Sequence, residues 1–357
     1  MKQLIISLSI LLSLITSQLI AINNDNVNIS GSYLGIFNSL SPTDQRTQFD
    51  FATNINVELT LAKNMTGIVQ LQSGAGNGSL GFVGPSAQLT DINIQYTHSQ
   101  SNSAVTIGSF DLPFGKGVNY LSNNGNTFQS PFILNSLTYS ALAGPIGTLN
   151  TLGIKLENTI SAFETTLALS NGTGEDANNS QKNFLYLASL GTSQLSDKLY
   201  IGATYTTSDD SQDSSNSSYQ TNFSGWLVDL NIELTPQLSF KNHIGQLTYN
   251  DNNNTTKDDV NIAKSEIKYT IAPLFISGRY SHWQPLDSNG NSTGISADAI
   301  TPGLSVASIT DTSITRWQLG IGYEINKNTI ARADVIMDDY QYGSDYKGII
   351  IGLNSRF

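Results

Sequence analysis

Residues 226–234 read Trp-Leu-Val-Asp-Leu-Asn-Ile-Glu-Leu, and apolar side chains occupy every second position from Trp226 onward. In an extended strand, successive side chains point to opposite faces, so the acidic and amide side chains of Asp229, Asn231 and Glu233 share the other face. A period of two with one predominantly polar face indicates a strand that lies between an apolar medium and water.

The same alternation recurs along the chain of 357 residues, for example in 49–61, 316–325 and 349–357. No run of about 18 consecutive apolar residues occurs after residue 21, so the sequence predicts no transmembrane helix beyond that point. The body of the chain is therefore either a soluble β protein, such as a sandwich or an adhesin, or a barrel that crosses a membrane as strands.

The connections between the strands favour the barrel, because short and long connections alternate. Short turns are predicted near 62–64, 157–159, 194–197, 235–237, 272–273 and 326–328. Long polar connections are predicted near 73–87, 111–150, 171–182, 208–220, 250–259 and 284–312. About sixteen strands follow, with starts near 27, 47, 65, 88, 104, 150, 160, 183, 198, 221, 238, 260, 274, 313, 329 and 347. An even strand count places both chain ends at the short-turn end, as in bacterial outer-membrane barrels. The predicted fold is all-β, a transmembrane antiparallel up-and-down barrel.

The first residues predict an export signal. A basic Lys2, an apolar run over 4–20 and a small Ala21 before a polar stretch are typical of a secretory signal peptide. We expect residues 1–21 to be removed and residues 22–357 to form the barrel domain. An uncleaved anchor helix is the alternative for this segment.

Composition excludes several classes of function. The formal net charge of −11 disfavours nucleic acid as a partner, because phosphate backbones attract basic surfaces. The absence of cysteine excludes disulfides, thiolate metal ligands and cysteine nucleophiles. Tyr and Trp side chains on the predicted outer faces are suited to the aromatic girdles at the two interfaces of a lipid bilayer. Outer-membrane lipid and lipopolysaccharide are therefore the expected surroundings, and a homotrimer is an open possibility.

Three passages resemble a known family. Residues 107–115 (Ile-Gly-Ser-Phe-Asp-Leu-Pro-Phe-Gly), residues 152–156 with 167–174, and the alternating last strand ending in Phe357 are similar to landmarks of the outer-membrane porins. Within that family they are most similar to the phosphate-selective and related β-barrel porins. The resemblance implies that the last strand and its aromatic end carry the signal for the outer-membrane assembly machinery. In contrast to phosphate-selective members, which line the pore with many Arg and Lys, this chain has arginine only at positions 46, 279, 316, 332 and 356.

A barrel of sixteen strands encloses a water-filled lumen unless something fills it. Residues 117–154 carry no charge, and the connection 111–150 is the longest in the chain. We expect this connection to fold inward and narrow the channel, with an outer lid or a subunit contact as the alternative.

The alternation along the strands predicts which charged side chains face the lumen. The pore-lining candidates are Asp111, Lys116, Lys155, Glu157, Glu164, Asp229, Glu233, Lys264, Glu266, Lys268, Arg279, Arg316, Glu324, Arg332 and Asp334. With the further inward positions Asp50, Glu58, Asp91 and Lys241, acids outnumber bases on the predicted wall. Charge along a pore sets ion preference through the local potential. The sequence therefore predicts a porin for passive diffusion of ions and small hydrophilic solutes, with a weak preference for cations. A solute-specific channel for phosphate, another anion or a sugar is the alternative.

Catalysis is not expected. His98, His243 and His282 are the histidines of the chain, and none has a serine two residues later, where the two side chains would share a strand face. The paired acids at 209–210, 258–259 and 338–339 are expected in or near the connections. No phosphate-binding glycine loop or histidine-based metal spacing occurs, so no cofactor is predicted.

Overall fold

A computed structural model describes residues 26–41, 48–75, 88–115, 150–171, 184–196, 198–212, 220–251, 257–287, 313–340 and 345–357. The predicted signal peptide, residues 1–21, lies outside the described residues. Within these ranges no helix is long and apolar enough to span a membrane.

The described residues form sixteen strands. They are β1 (Val27–Ser41), β2 (Gln48–Ala62), β3 (Met65–Ala75), β4 (Gln88–His98), β5 (Ser103–Asp111), β6 (Asn150–Ile160), β7 (Phe163–Ser170), β8 (Leu185–Ser196), β9 (Leu199–Gln212), β10 (Gln220–Thr235), β11 (Leu238–Asp251), β12 (Lys257–Ile271), β13 (Leu274–Asp287), β14 (Ile314–Asn326), β15 (Thr329–Tyr340) and β16 (Tyr346–Arg356). The predicted strand starts agree with these to within about three residues. The all-β prediction is confirmed.

Each strand pairs antiparallel with its neighbours in sequence, and β1 pairs with β16 to close the barrel. At this seam Ser32 lies opposite Arg356 and Gly35 opposite Leu353. Phe357 extends the pairing, because its N–H donates to the Gly31 carbonyl at 3.0 Å and its carbonyl accepts from the Gly31 N–H at 3.0 Å. Closure leaves no free sheet edge, as a barrel in lipid requires.

The two faces of the barrel differ as the alternation predicts. The outer face exposes large apolar side chains, including Ile107, Trp226, Leu319 and Ile351. The inner face carries most of the buried charged and amide side chains, including Asp91. The register keeps most of the charged side chains of the strands inside, because a shift by one residue would turn a whole strand's apolar side chains into the lumen.

One predicted connection is misplaced. The short turn predicted at 157–159 lies at 161–162, because β6 continues to Ile160 and Ser161 takes a left-handed backbone conformation with φ 55°. The acids Asp338 and Asp339, expected in or near a connection, lie near the end of β15, which stops at Tyr340.

The two ends of the barrel should differ in access from outside intact cells. Because the chain has no cysteine, a cysteine at Ser211, near the long-connection end of β9, can be compared with one at Lys63, in the β2–β3 turn. We expect an impermeant thiol reagent to label S211C on whole cells and K63C only after the outer membrane is opened. Equal labelling of both variants on whole cells would contradict this orientation.

Removal of Phe357 should impair barrel closure. The deletion removes both hydrogen bonds to Gly31, and unpaired backbone groups in lipid cost several kcal/mol each. We expect less heat-modifiable, folded barrel in the membrane fraction, measured by semi-native gel electrophoresis. Phe357→Tyr keeps the backbone pairing and serves as the control. Wild-type amounts of folded barrel from the deletion would show that the seam does not depend on this residue.

Candidate functional site: the inner wall

The inner face of β10–β15 holds a dense cluster of ionisable side chains near Glu266. Glu266 is 1% exposed, and its Oε1 lies 3.3 Å from Lys264 Nζ on the same strand. The same oxygen lies 3.2 Å from Arg279 Nη1, on the neighbouring strand β13. One carboxylate thus balances two buried cations, which compensates the cost of removing all three charges from water.

The cluster continues onto β14 through amide and carboxylate partners. Arg279 donates from Nε to Gln318 Oε1 at 2.8 Å and also from Nη2 to the same oxygen. Arg316 binds Asp338 with two parallel hydrogen bonds of 2.6 Å, from Nε to Oδ1 and from Nη2 to Oδ2. Such bidentate pairs fix the orientation of both side chains as well as their charge.

Asp338 is a wall residue that the sequence analysis missed. The pair 338–339 was expected in or near a connection, but β15 places Asp338 on the inner face opposite Arg316 and turns Asp339 outward. The signal was present in the sequence, since Arg332, Asp334 and Asp338 share one parity. Asp229 and His243 also face each other here, with His243 Nε2 3.2 Å from Asp229 Oδ1 and both side chains buried.

An aromatic ring lies among the cations nearer the short-turn end. Lys268 Nζ is 4.4 Å from the centre of the Phe275 ring, and the Arg332 guanidinium carbon is 5.6 Å from it. Cations over an aromatic face gain electrostatic energy from the ring quadrupole. Gly322, opposite Phe275 on β14, leaves room for the ring, because a Cβ at that position would overlap its carbon atoms.

The described wall is asymmetric in charge. The bases on it lie mostly on β11–β15, and these are Lys241, Lys264, Lys268, Arg279, Arg316 and Arg332. Among the described side chains of β2–β7, the inward acids are Glu58, Asp91, Glu157 and Glu164. The inward base described on these strands is Lys155, which pairs with Glu157 at 3.0 Å. An acidic side and a basic side therefore face one lumen. A net count of charges does not show this separation, because the separation depends on which strand carries each charge.

Two further candidates lie near the short-turn end, where Glu233 and Glu324 are exposed. Glu233 borders a recess of about 400 Å³ that Lys198, Tyr200, Lys241 and Lys268 also line. Asp334 is buried on the inner face opposite Gly320. All the candidates from Lys155 to Asp334 thus lie on inward positions.

The proposed constriction lies largely outside the described residues. Asp111 ends β5 and pairs with Asn150, but its side chain and Lys116 are outside the described part of the structure. On either side of Asp111, Phe110, Leu112 and Phe114 are buried. The inward folding of 111–150 stays a prediction.

The three histidines occupy unrelated places. His98 is the last residue of β4, and its Nδ1 lies 2.7 Å from Oγ of Ser101 in the exposed β4–β5 turn. His243 lies on the inner wall, and His282 lies on the outer face with its Nδ1 2.9 Å from Thr315 Oγ1. They cannot act together on one substrate.

Comparison with known proteins identifies the fold. No family model matches the chain, and no curated protein matches its sequence. Among solved structures, the trimer form of OmpT, an outer membrane protein of Vibrio cholerae, matches with a TM-score of 0.65 and 10% identity over 93% of this chain and 99% of that chain. An anion-selective porin from Comamonas acidovorans matches with a TM-score of 0.63 and 10% identity over 93% and 99%. OprB of Pseudomonas putida matches with a TM-score of 0.64 and 13% identity over 93% and 94%. With the closed sixteen-strand barrel, these likenesses confirm the predicted porin-type fold.

Neutralising Glu266 should destabilise the barrel. Glu266→Gln would leave Lys264 and Arg279 buried without their shared carboxylate, and breaking a buried ion pair costs about 3–5 kcal/mol. We expect a lower urea midpoint for unfolding in detergent or liposomes, followed by tryptophan fluorescence. Glu233→Gln, at an exposed inward position, is the matched control and should unfold near the wild-type midpoint. Equal midpoints for both variants would show that Glu266 does not hold the cluster together.

Proposed function

We propose that the protein is a non-enzymatic porin, a water-filled channel through which ions and small hydrophilic solutes diffuse passively across the outer membrane. The main support is that a closed sixteen-strand barrel has an apolar outer face and an inner face with Asp, Glu, Lys and Arg side chains. Barrels of this strand number are wide enough for an aqueous channel. The scattered histidines give no support to an enzymatic role.

The ion preference that we propose is weak and favours cations. On the described wall the inward acids outnumber the inward bases, and Glu233 and Glu324 at the short-turn end are exposed to passing ions. Many of the bases are held by acids, as Lys264 and Arg279 are by Glu266 and Arg316 is by Asp338. Such pairing reduces the positive potential that the basic side presents to the lumen.

A solute-specific channel for anions is the second candidate. The concentration of bases on β11–β15 favours it, because a fixed row of cations can guide an anion along one side of a pore. The resemblance to an anion-selective porin in fold is compatible with either candidate. The two functions differ in the sign of the reversal potential.

The proposed surroundings follow from the fold. The apolar outer face would contact outer-membrane lipid and lipopolysaccharide, and the β1–β16 seam would be formed with the outer-membrane assembly machinery. A homotrimer stays an open possibility, supported by the trimer form of one protein of similar fold.

Reversal potentials across planar bilayers with unequal KCl should test the preference. We expect single channels with the cation-selective sign near 0.1 M salt and almost no selectivity near 1 M, as the Debye length falls from about 10 Å to about 3 Å. Glu233→Gln with Glu324→Gln should shift the low-salt value toward anions. Asp339→Asn, an acid on the outer face of β15, is the control and should leave it unchanged. Anion selectivity in the wild-type protein would favour the second candidate.

A further inference from the structure

The recess of about 400 Å³ on the inner wall lies near the short-turn end of β8–β12. A space of this size holds a small ligand. Its lining includes two neighbouring inward rungs, Tyr200–Asn231–Lys241 and Glu233–Ser239–Lys268. The recess adjoins the Glu266 cluster, but the side chains of the two rungs are half-buried or exposed, whereas that cluster is buried. A solute in the lumen can therefore reach them.

Tyr200 supplies a flat apolar surface at one side of the recess. The inward glycines Gly191 on β8 and Gly202 on β9 lie directly opposite each other. A Cβ on either glycine would overlap the tyrosine ring, so the ring lies along the wall over both. One face of the ring covers the glycines, and the half-buried side chain turns the other face to the recess. Such a face can stack on a planar group or on the apolar C–H side of a sugar ring.

The other side of the recess carries positive charge. Three lysines, Lys198, Lys241 and Lys268, line it together with one acid, Glu233. Lys268 lies opposite Ser239, two residues before Lys241, so the two lysines are diagonal neighbours on β11 and β12. Diagonal neighbours are about 7–8 Å apart, which lets two long side chains reach one bound anion.

Neighbouring contacts position these two lysines. Lys268 Nζ is 4.4 Å from the centre of the Phe275 ring. Glu266, which lies opposite Lys241, is already bonded to the two buried cations of its own cluster at 3.3 Å and 3.2 Å. A carboxylate shared among several cations offsets each of them only in part. The recess therefore keeps a net positive potential.

Hydroxyl and amide groups border the space between the ring and the lysines. They belong to Ser193, Asn231, Ser239 and Thr270. These groups both donate and accept hydrogen bonds, so they can pair with the hydroxyl groups of a ligand. A flat apolar face, a cationic side and a polar border together match a sugar ring that carries a carboxylate.

We propose that the recess binds sugar acids, which are ligands of monosaccharide size with several hydroxyl groups and a carboxylate. The sugar ring stacks on Tyr200, and the carboxylate lies between Lys241 and Lys268. The inference rests on the proposed aqueous lumen, through which the solute reaches the recess. A local anion site is compatible with a weak cation preference of the whole pore, because charges more than about 10 Å away are largely screened at 0.1 M salt.

Calorimetric titration of the folded barrel in detergent tests the class of ligand. We expect D-glucuronate to bind, and D-glucose to bind about tenfold more weakly because it has no charge for the lysines. Benzoate, which has the charge and a ring but no hydroxyl groups, should also bind more weakly than glucuronate. The assignment fails if glucuronate does not bind, or if glucose or benzoate binds equally well.

Substitutions test the place of binding. Lys241→Gln with Lys268→Gln should weaken glucuronate binding about tenfold, and so should Tyr200→Ala, whereas Tyr200→Phe keeps the ring and should bind like the wild type. The matched control is Lys155→Gln, which removes an inward base of β6 away from the recess and should leave the affinity unchanged. Heat-modifiability shows which variants fold, and Lys241→Gln alone supplies the charge test if the double variant does not. Equal losses from the control and the recess variants would refute the site.

Two further results separate the recess from the channel. Glu233→Gln removes the acid from the lining, so it should tighten glucuronate binding, and a weaker affinity would count against the site. A wild-type barrel that conducts KCl in planar bilayers but binds no glucuronate would contradict this inference and leave the porin proposal standing. A folded barrel that does not conduct would contradict both.

Discussion

The need to satisfy every backbone hydrogen bond within lipid is the constraint on which this structure depends. It requires a closed sheet, and closure is completed by ten paired positions between β1 and β16 and by the reciprocal bonds of Phe357 with Gly31. Closure in turn divides the side chains of every strand into an outer and an inner set. The apolar belt and the charged wall are both consequences of that division.

The inner wall shows how charge is accommodated once it is confined to the lumen. Glu266 is shared by Lys264 and Arg279, and Arg316 and Asp338 form a bidentate pair. These contacts hold side chains in fixed positions on neighbouring strands, so they support the wall as well as setting its potential. The bases gather on β11–β15 while acids predominate on β2–β7, and a solute in the lumen would therefore meet a field directed across the pore.

Much of this fold could be predicted from the sequence, because alternation and connection length are local properties. The strand at 226–234 revealed its two faces directly, and the same parity placed Glu266, Arg279 and Arg332 on the inner face. The clustering of charge was not predictable in this way, since it depends on cross-strand register. Asp338 was missed because a pair of acids near the end of a strand resembles part of a connection. The outward cluster that Asn242 and Gln246 form with their neighbours on β12 could not be predicted either, because it also depends on the cross-strand register.

The proposed function requires the barrel to enclose an open aqueous path. Liposome swelling with neutral sugars of increasing size tests it most directly, since no selectivity for charge enters the result. Proteoliposomes containing folded barrel should swell in a monosaccharide and progressively more slowly in larger sugars, at rates well above those of protein-free vesicles. Two results would contradict an open diffusion channel. In one, folded barrel admits no sugar, and in the other it admits one sugar faster than sugars of smaller size.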